Sequence, residues 1–140
     1  KTIQTPGAVM RIAFAPDGMT LVTTHMSSSG SVALIWNTSN WISADAKHGI
    51  KSAAFSKDGK ILALGGSRIE LIDPATQKQI RTIELAEMTL GEVNRRFESR
   101  PNSNKKIPIR ISALTFSPDG KTIAAGCEEG TVRLVKMKSK

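Results

Sequence analysis

Few residues in this chain could do chemistry, and their spacing decides what kind. His25 and His48 are the only histidines, and Cys127 is the only cysteine. A structural zinc site takes four sulfur or nitrogen ligands at short spacings. Two histidines in different repeats and one distant thiol do not supply them. A lone cysteine also excludes an internal disulfide framework. Ser27–Ser29 is a run of small polar residues without the Gly-x-Ser-x-Gly frame of a strained nucleophile turn. Gly65-Gly66-Ser67 lacks the lysine and the following helix of a phosphate loop. Asp17, Asp58 and Asp119 recur, but each stands directly before a glycine, where a tight turn needs it. They are poor candidates for paired acid–base work. Glu128 and Glu129 read as a solvated turn, and Cys127 as a packing residue. No catalytic residue, metal site or cofactor is read here, and the chain is not expected to be an enzyme.

Recognition chemistry is better supplied. The chain holds 20 basic and 12 acidic residues, a net charge of +8, which favours acidic surfaces or nucleic acid through long-range attraction. Half of that excess lies in one stretch. Gly91 to Arg110 contains Arg95, Arg96, Arg100, Lys105, Lys106 and Arg110 against Glu92 and Glu98, a balance of +4. Arginine pairs carboxylate and phosphate bidentately, so Arg95, Arg96 and Arg100 are the favoured contacts to an acidic partner surface or to nucleic acid. Leu90, Val93 and Phe97 have the spacing of a short helical turn, with Phe97 as a packing anchor. Arg100–Lys106 is polar and turn-rich, as a loop tip is. Tyrosine is absent and the aromatics are four Phe and two Trp, which argues against a stacking groove for single strands. Trp36 reads as core. Trp41 reads as partly exposed and as a hot spot for a protein partner, or else as a cap on a sheet edge.

Three copies of one pattern must position these residues. They run Val9–Asn37, Ile50–Asp73 and Ile111–Lys136, aligned on Phe14, Phe55 and Phe116. Each opens with a short apolar stretch ending in Phe (VMRIAF, IKSAAF, ISALTF), which reads as a strand buried on both faces. An Asp-Gly turn follows, because these residues tolerate the positive φ of hairpin turns. A second strand, a Gly- or Ser-containing loop and a third strand complete the shared part. A fourth, outer strand is clearest as Lys78–Ile83, is weaker in the first copy at Asn40–Ala44, and is echoed by KTIQT at Lys1–Thr5. A four-stranded antiparallel meander with two apolar faces cannot stand alone, and radial stacking of copies buries both. The pattern therefore predicts an all-β fold of propeller blades.

The residues Phe116–Leu134, FSPDGKTIAAGCEEGTVRL, resemble the core of the WD40 repeat. The second copy follows it as far as Gly65, and the first keeps its Trp in IWN, Ile35–Asn37. The resemblance implies a single β-propeller unit over 1–140: blade one at 8–45, blade two at 50–85, a basic insertion at 86–109 beside the second-to-third strand loops, and blade three at 110–137. It also implies a non-catalytic scaffold for protein–protein interaction. Many such repeats carry a buried His, Ser, Asp and Trp network. Here Thr5 and Ile107 fall at the His position, His48 is displaced from it by two residues, and Ser29 or Glu129 stands near the Asp position. Only Trp36 matches, so the network is expected to be largely absent and packing to dominate.

Closure is the remaining constraint. Strand counting gives three blades, the last lacking its outer strand, whereas rings have about four to eight blades. The resemblance implies that an N-terminal outer strand, 1–5, completes a final blade. That makes Lys1, Ile3 and Thr5, with Val132 and Leu134 of the last blade, the closing residues. The ring is then finished by a second copy or by further blades. The alternative functions are nucleic-acid or acidic-surface binding through 86–109, and a sensor or docking segment of a larger enzyme. The longest apolar run is about five residues, Val32–Trp36, far short of the roughly 20 of a membrane helix, so no membrane partner is expected. The lone cysteine fits a cytoplasmic location. The chain opens on Lys1 rather than Met, as a processed product or a piece of a longer protein would.

Overall fold

The computed structural model describes residues 1–44, 46–86, 88–89 and 106–138, and all regular elements among them are β-strands. Blade one consists of β1 (Ala8–Phe14), β2 (Thr20–Ser27) and β3 (Gly30–Asn37), with an outer strand in two pieces, β4 (Ile42–Ser43) and β5 (Lys47–His48). Both pieces pair with β3, β4 at Trp36 and Asn37 and β5 at Val32 and Ala33. This outer strand therefore reaches His48, beyond the expected limit at 45, and both histidines belong to blade one rather than to different blades. Blade two is a meander of β6 (Ser52–Phe55), β7 (Leu62–Gly65), β8 (Ile69–Ile72) and β9 (Gln79–Ile83). A short ribbon, β10 (Met88–Thr89) with β11 (Lys106–Ile107), closes the base of the insertion. Blade three has β12 (Ile111–Phe116), β13 (Thr122–Cys127) and β14 (Thr131–Lys136), and among the described residues β14 is an edge strand.

The repeated turn has one geometry in all three copies. Gly18, Gly59 and Gly120 sit at φ of 72°, 72° and 69°, a left-handed conformation that glycine adopts without a Cβ penalty. Each donates its N–H to the carbonyl three residues back, at Ala15, Ser56 and Ser117. The aspartates themselves are not left-handed. Their carboxylates accept the backbone N–H two residues on, at Met19, Lys60 and Lys121. Ser56 and Ser117 also donate their hydroxyls to Asp58 and Asp119, at 2.7 and 2.6 Å. That hydroxyl bond, followed by the backbone N–H, holds the Asp58 and Asp119 carboxyls below the usual carboxylate value.

Packing gives each blade a leading face, toward the next blade, and a trailing face. Val22, Ala33 and Ile35 lead from blade one into a cluster with Leu62, Leu64 and Ile72 on the trailing face of blade two. Ala63, Ile69 and Leu71 lead from blade two onto Ile111, Ile123, Ala125 and Cys127 of blade three. Contact is closest at Gly65, where an added Cβ would meet Ser52 Oγ and lie 2.7 Å from Ile111 and 2.9 Å from Leu114. Leu21, Leu34 and Trp36 form a third cluster on the trailing face of blade one.

Two expectations change. First, β1 is not buried on both faces. Ile12 and Phe14 point to the trailing side, where no blade follows, and stay exposed. Second, a polar network is present in blade one. Trp36 Nε1 donates to Thr23 Oγ1 at 2.8 Å, and Thr23 Oγ1 is hydrogen-bonded to His25 Nε2 at 2.7 Å. His25 is 1% exposed. Burial lowers its pKa below the ordinary 6.5, and the Gly7 backbone beside the ring partly offsets this. The histidine comes from β2 itself, two residues after Thr23 on the same face, instead of from the loop before β1.

Candidate interaction surface

The chemistry-bearing side chains gather at the end of the blades where β1, β6 and β12 begin. Aligning the copies puts Met10, Lys51 and Ser112 at one equivalent position. Met10 and Ser112 are the extra residues of β-bulges, where the ladders skip between Val9 and Arg11 and between Ile111 and Ala113. A bulge bends its strand and re-aims the side chain. All three line a cavity of about 140 Å³, with Arg11, Thr24, His25, Met26, Ser31 and Glu128.

Backbone and side chains tie this end together across blades. Lys51 Nζ bridges to Glu128 Oε1 at 2.5 Å, and Thr24 Oγ1 donates to the Lys51 carbonyl. Gly49 N–H reaches Ser31, Ile111 N–H reaches Gly66, and Glu128 N–H reaches Arg110. Because Lys51 and Glu128 are both partly exposed, their pairing fixes geometry more than it adds stability. Glu129 is more enclosed, accepting a hydrogen bond from Thr131 Oγ1 at 2.9 Å, with the Arg133 guanidinium an ion-pair partner 3.9 Å away. Burial, and then the nearby Glu129 charge, push the Cys127 thiol up, so it stays protonated and unreactive. At the opposite end, two grooves of about 530 and 570 Å³ run beside the Asp-Gly turns, where the aspartates are occupied as caps. Among the described residues no group of three or more His, Cys, Asp or Glu is placed to hold a metal ion, and no helix is long and apolar enough to cross a membrane.

The predicted contact residues fall in several places. Arg95, Arg96, Arg100 and Lys105, with Leu90, Val93 and Phe97, lie outside the described residues. Lys106 is in β11 opposite Thr89. Arg110 is exposed beside the Glu128 turn. Trp41 lies in the turn before β4, at φ 62°, half-buried against the Leu21, Leu34 and Trp36 cluster. The Lys1 ammonium sits 5.8 Å above its ring. Residues 1–5 form no strand. Ile3 packs on the same cluster, across the trailing face of blade one. Val132 and Leu134 are each 72% exposed on the leading face of blade three. The cavity at Met10, Arg11, Lys51 and Glu128 was not read from the sequence. The alignment of Met10, Lys51 and Ser112 is the signal that would have found it.

Residues 104–136, the ribbon edge and all of blade three, match the family described as WD domain, G-beta repeat. The chain has the fold of a WD40 β-propeller. It is similar to the β-propeller domain of Cps50 (Swd1) from Myceliophteria thermophila, with a TM-score of 0.65 at 18% identity over 99% of this chain and 38% of that one. The WD40 repeats of RRP9 give 0.66 at 12% identity, covering 96% of this chain and 37% of that one. Hydrazine synthase of Kuenenia stuttgartiensis gives 0.65 at 17% identity, covering 97% and 35%. The chain thus spans little more than a third of each of these chains. Curated protein sequences return no match. WD40 propellers are generally non-catalytic and typically bind protein partners, although one of these neighbours is an enzyme.

Proposed function

We propose that this WD40 chain is a non-catalytic scaffold for protein–protein interaction, completed by additional blades from a second copy or from further propeller chain. The observation that carries this reading is the pair of uncovered apolar faces, at Ile12 and Phe14 on one side and Val132 and Leu134 on the other. Contiguous exposed apolar surface marks sites of association. The open rim around Lys51, Glu128 and Arg110 is the face offered to partners. Cross-linking mass spectrometry in the source cells tests this. A scaffold captures a specific protein at the rim, and Lys51→Glu with Arg110→Glu releases it. Only non-specific cross-links, unchanged by the rim variants, would overturn the reading.

The charge of 91–110 favours a second reading, binding of nucleic acid or acidic surfaces through Arg95, Arg96 and Arg100. Fluorescence anisotropy with a labelled single-stranded RNA should then show affinity falling steeply between about 50 and 200 mM salt, as counterion release requires. Arg95→Glu with Arg96→Glu should abolish it. Salt-insensitive or absent binding rejects this reading.

A further inference from the structure

We propose that the cavity where Met10, Lys51 and Ser112 converge is a socket for one acidic side chain of a protein partner, glutamate in preference to aspartate. The proposal rests on the scaffold reading and names the chemistry that its rim recognises.

The socket is built by the repeat. Met10 and Ser112 are the extra residues of bulges in blades one and three. Lys51 holds the same place in blade two. Its N–H donates to the Gly65 carbonyl, while the next residue, Ser52, already pairs with Gly65. A bulge takes its extra side chain out of the strand's alternation, so one local irregularity, copied three times, aims three side chains at one space. Arg11 pairs with Thr24 and Met26 with Ser31, and these four line the cavity from the face of blade one that meets blade two. Lys51, Ser112 and Glu128 come from the next two blades. The cavity therefore lies between packed blades, and neither uncovered face supplies its charged walls. At about 140 Å³ it is smaller than the roughly 300–1,000 Å³ of small-molecule pockets, and it suits a single side chain.

Charge selects which one. Arg11, Lys51 and Glu128 are the charged residues of the lining. His25 adds nothing at pH 7, because burial holds its pKa below the ordinary value. Lys51 and Glu128 are paired, which leaves one positive charge over. The hydroxyls of Thr24 and Ser112 are already given to the Lys51 and Gly126 carbonyls. Lysine has three N–H donors and arginine five. Glu128 takes one from Lys51, and the Met10 carbonyl takes one from Arg11 Nη1. The donors that remain suit a carboxylate, which only accepts. Met10 and Met26, 50 and 42% exposed, supply flexible thioether chains that adapt to an aliphatic stem. Glutamate has two methylenes to lay on them and aspartate one. Lys51 already holds one glutamate, Glu128, so the partner's carboxylate repeats a contact that the site makes with itself. Phosphorylated partners are recognised by arginine clusters, and one spare cation is not a cluster.

The test is an array of short peptides of randomised sequence, probed with the full chain. Each peptide pool has one fixed central residue: Glu, Asp, Gln, Lys or phosphoserine. The wild type should retain Glu-centred pools about tenfold more than Gln-centred ones, as a hydrogen bond to a charged group allows, with Asp between them. Lys51→Met and Arg11→Gln should each remove that preference, and Lys51→Arg, which keeps the charge, should retain it. Both side chains reach solvent, and circular dichroism checks that the variants fold. Lys57→Met removes the same charge from an exposed site at the opposite end of the blades and should change nothing. Equal retention of Glu and Gln pools overturns the proposal, as does a preference that Lys57→Met removes equally. Stronger retention of phosphoserine overturns it in favour of a phosphate ligand. In each of these cases a protein cross-linked at the rim and released by the rim variants still supports the scaffold reading, whereas the absence of any such protein counts against that reading alone.

Discussion

Leu71 and Leu134 hold the same place in consecutive blades, yet one is buried and the other lies in the open. The same holds for Phe55, partly covered by blade one, and Phe14, which has no blade behind it. The side chains and the inner register are alike, but β8 pairs with β9 and packs on blade three, whereas β14 is an edge with no blade beyond it among the described residues, so the difference comes from neighbouring strand and blade together. A blade's sequence encodes two faces, and exposure is decided by whether a neighbour of the matching kind is present.

The sharpest way to break that comparison is to truncate both leucines. Leu71→Ala leaves a cavity between blades two and three and should cost about 3 kcal/mol. Leu134→Ala should cost under about 0.5 kcal/mol. Urea denaturation of both variants checks the contrast. Equal losses would mean that the leading face of blade three is already covered. Next in size is Gly65→Ala, which forces Ser52, Ile111 and Leu114 apart. It should lower stability by about 1–3 kcal/mol, whereas Gly126→Ala, on the open side of blade three, should lower it less. Trp36→Phe removes the indole donor and leaves the buried Thr23 Oγ1 with His25 alone, a loss of about 1–2 kcal/mol by thermal melting. That loss is confined to blade one, because Ile72 and Val135 stand where Trp36 does.

How much of this was legible follows from how local each feature is. The Asp-Gly turns could be read because six consecutive residues contain the whole hydrogen-bond pattern. The blades could be read because strand alternation and the repeated Phe survive in all copies. The His25 network was missed because a histidine was sought ahead of β1, whereas Thr23 and His25 share a face by strand alternation alone and Trp36 meets them across the ladder. The broken outer strand was missed because Lys47–His48 carries no apolar pattern. Its pairing is decided by the free edge of β3.

Acid provides the smallest and most selective probe. Asp58 and Asp119 have folded pKa values below the reference 3.8, so their turns contribute stability above about pH 4 that is lost as pH falls through the folded values. His25, also depressed, acts in the same direction but earlier. The unfolded chain takes up its proton near pH 6.5 while the buried ring resists, so stability should begin to fall below that pH. His25→Gln should flatten the upper part of a melting-temperature profile between pH 7 and 5 and leave the lower part in place. A profile unchanged by that substitution would remove His25 from the account.

The hairpin connections carry a kinetic consequence. Among the described residues no strand pair joins positions more than about twenty apart, the widest being Met88 with Ile107. Ladders this local form on microsecond timescales once both strands exist, and low contact order speeds the rest. Each blade can therefore assemble as it leaves the ribosome, before the next has been translated. The slower step is left to the packing of blade on blade, which brings together surfaces that no single hairpin can provide.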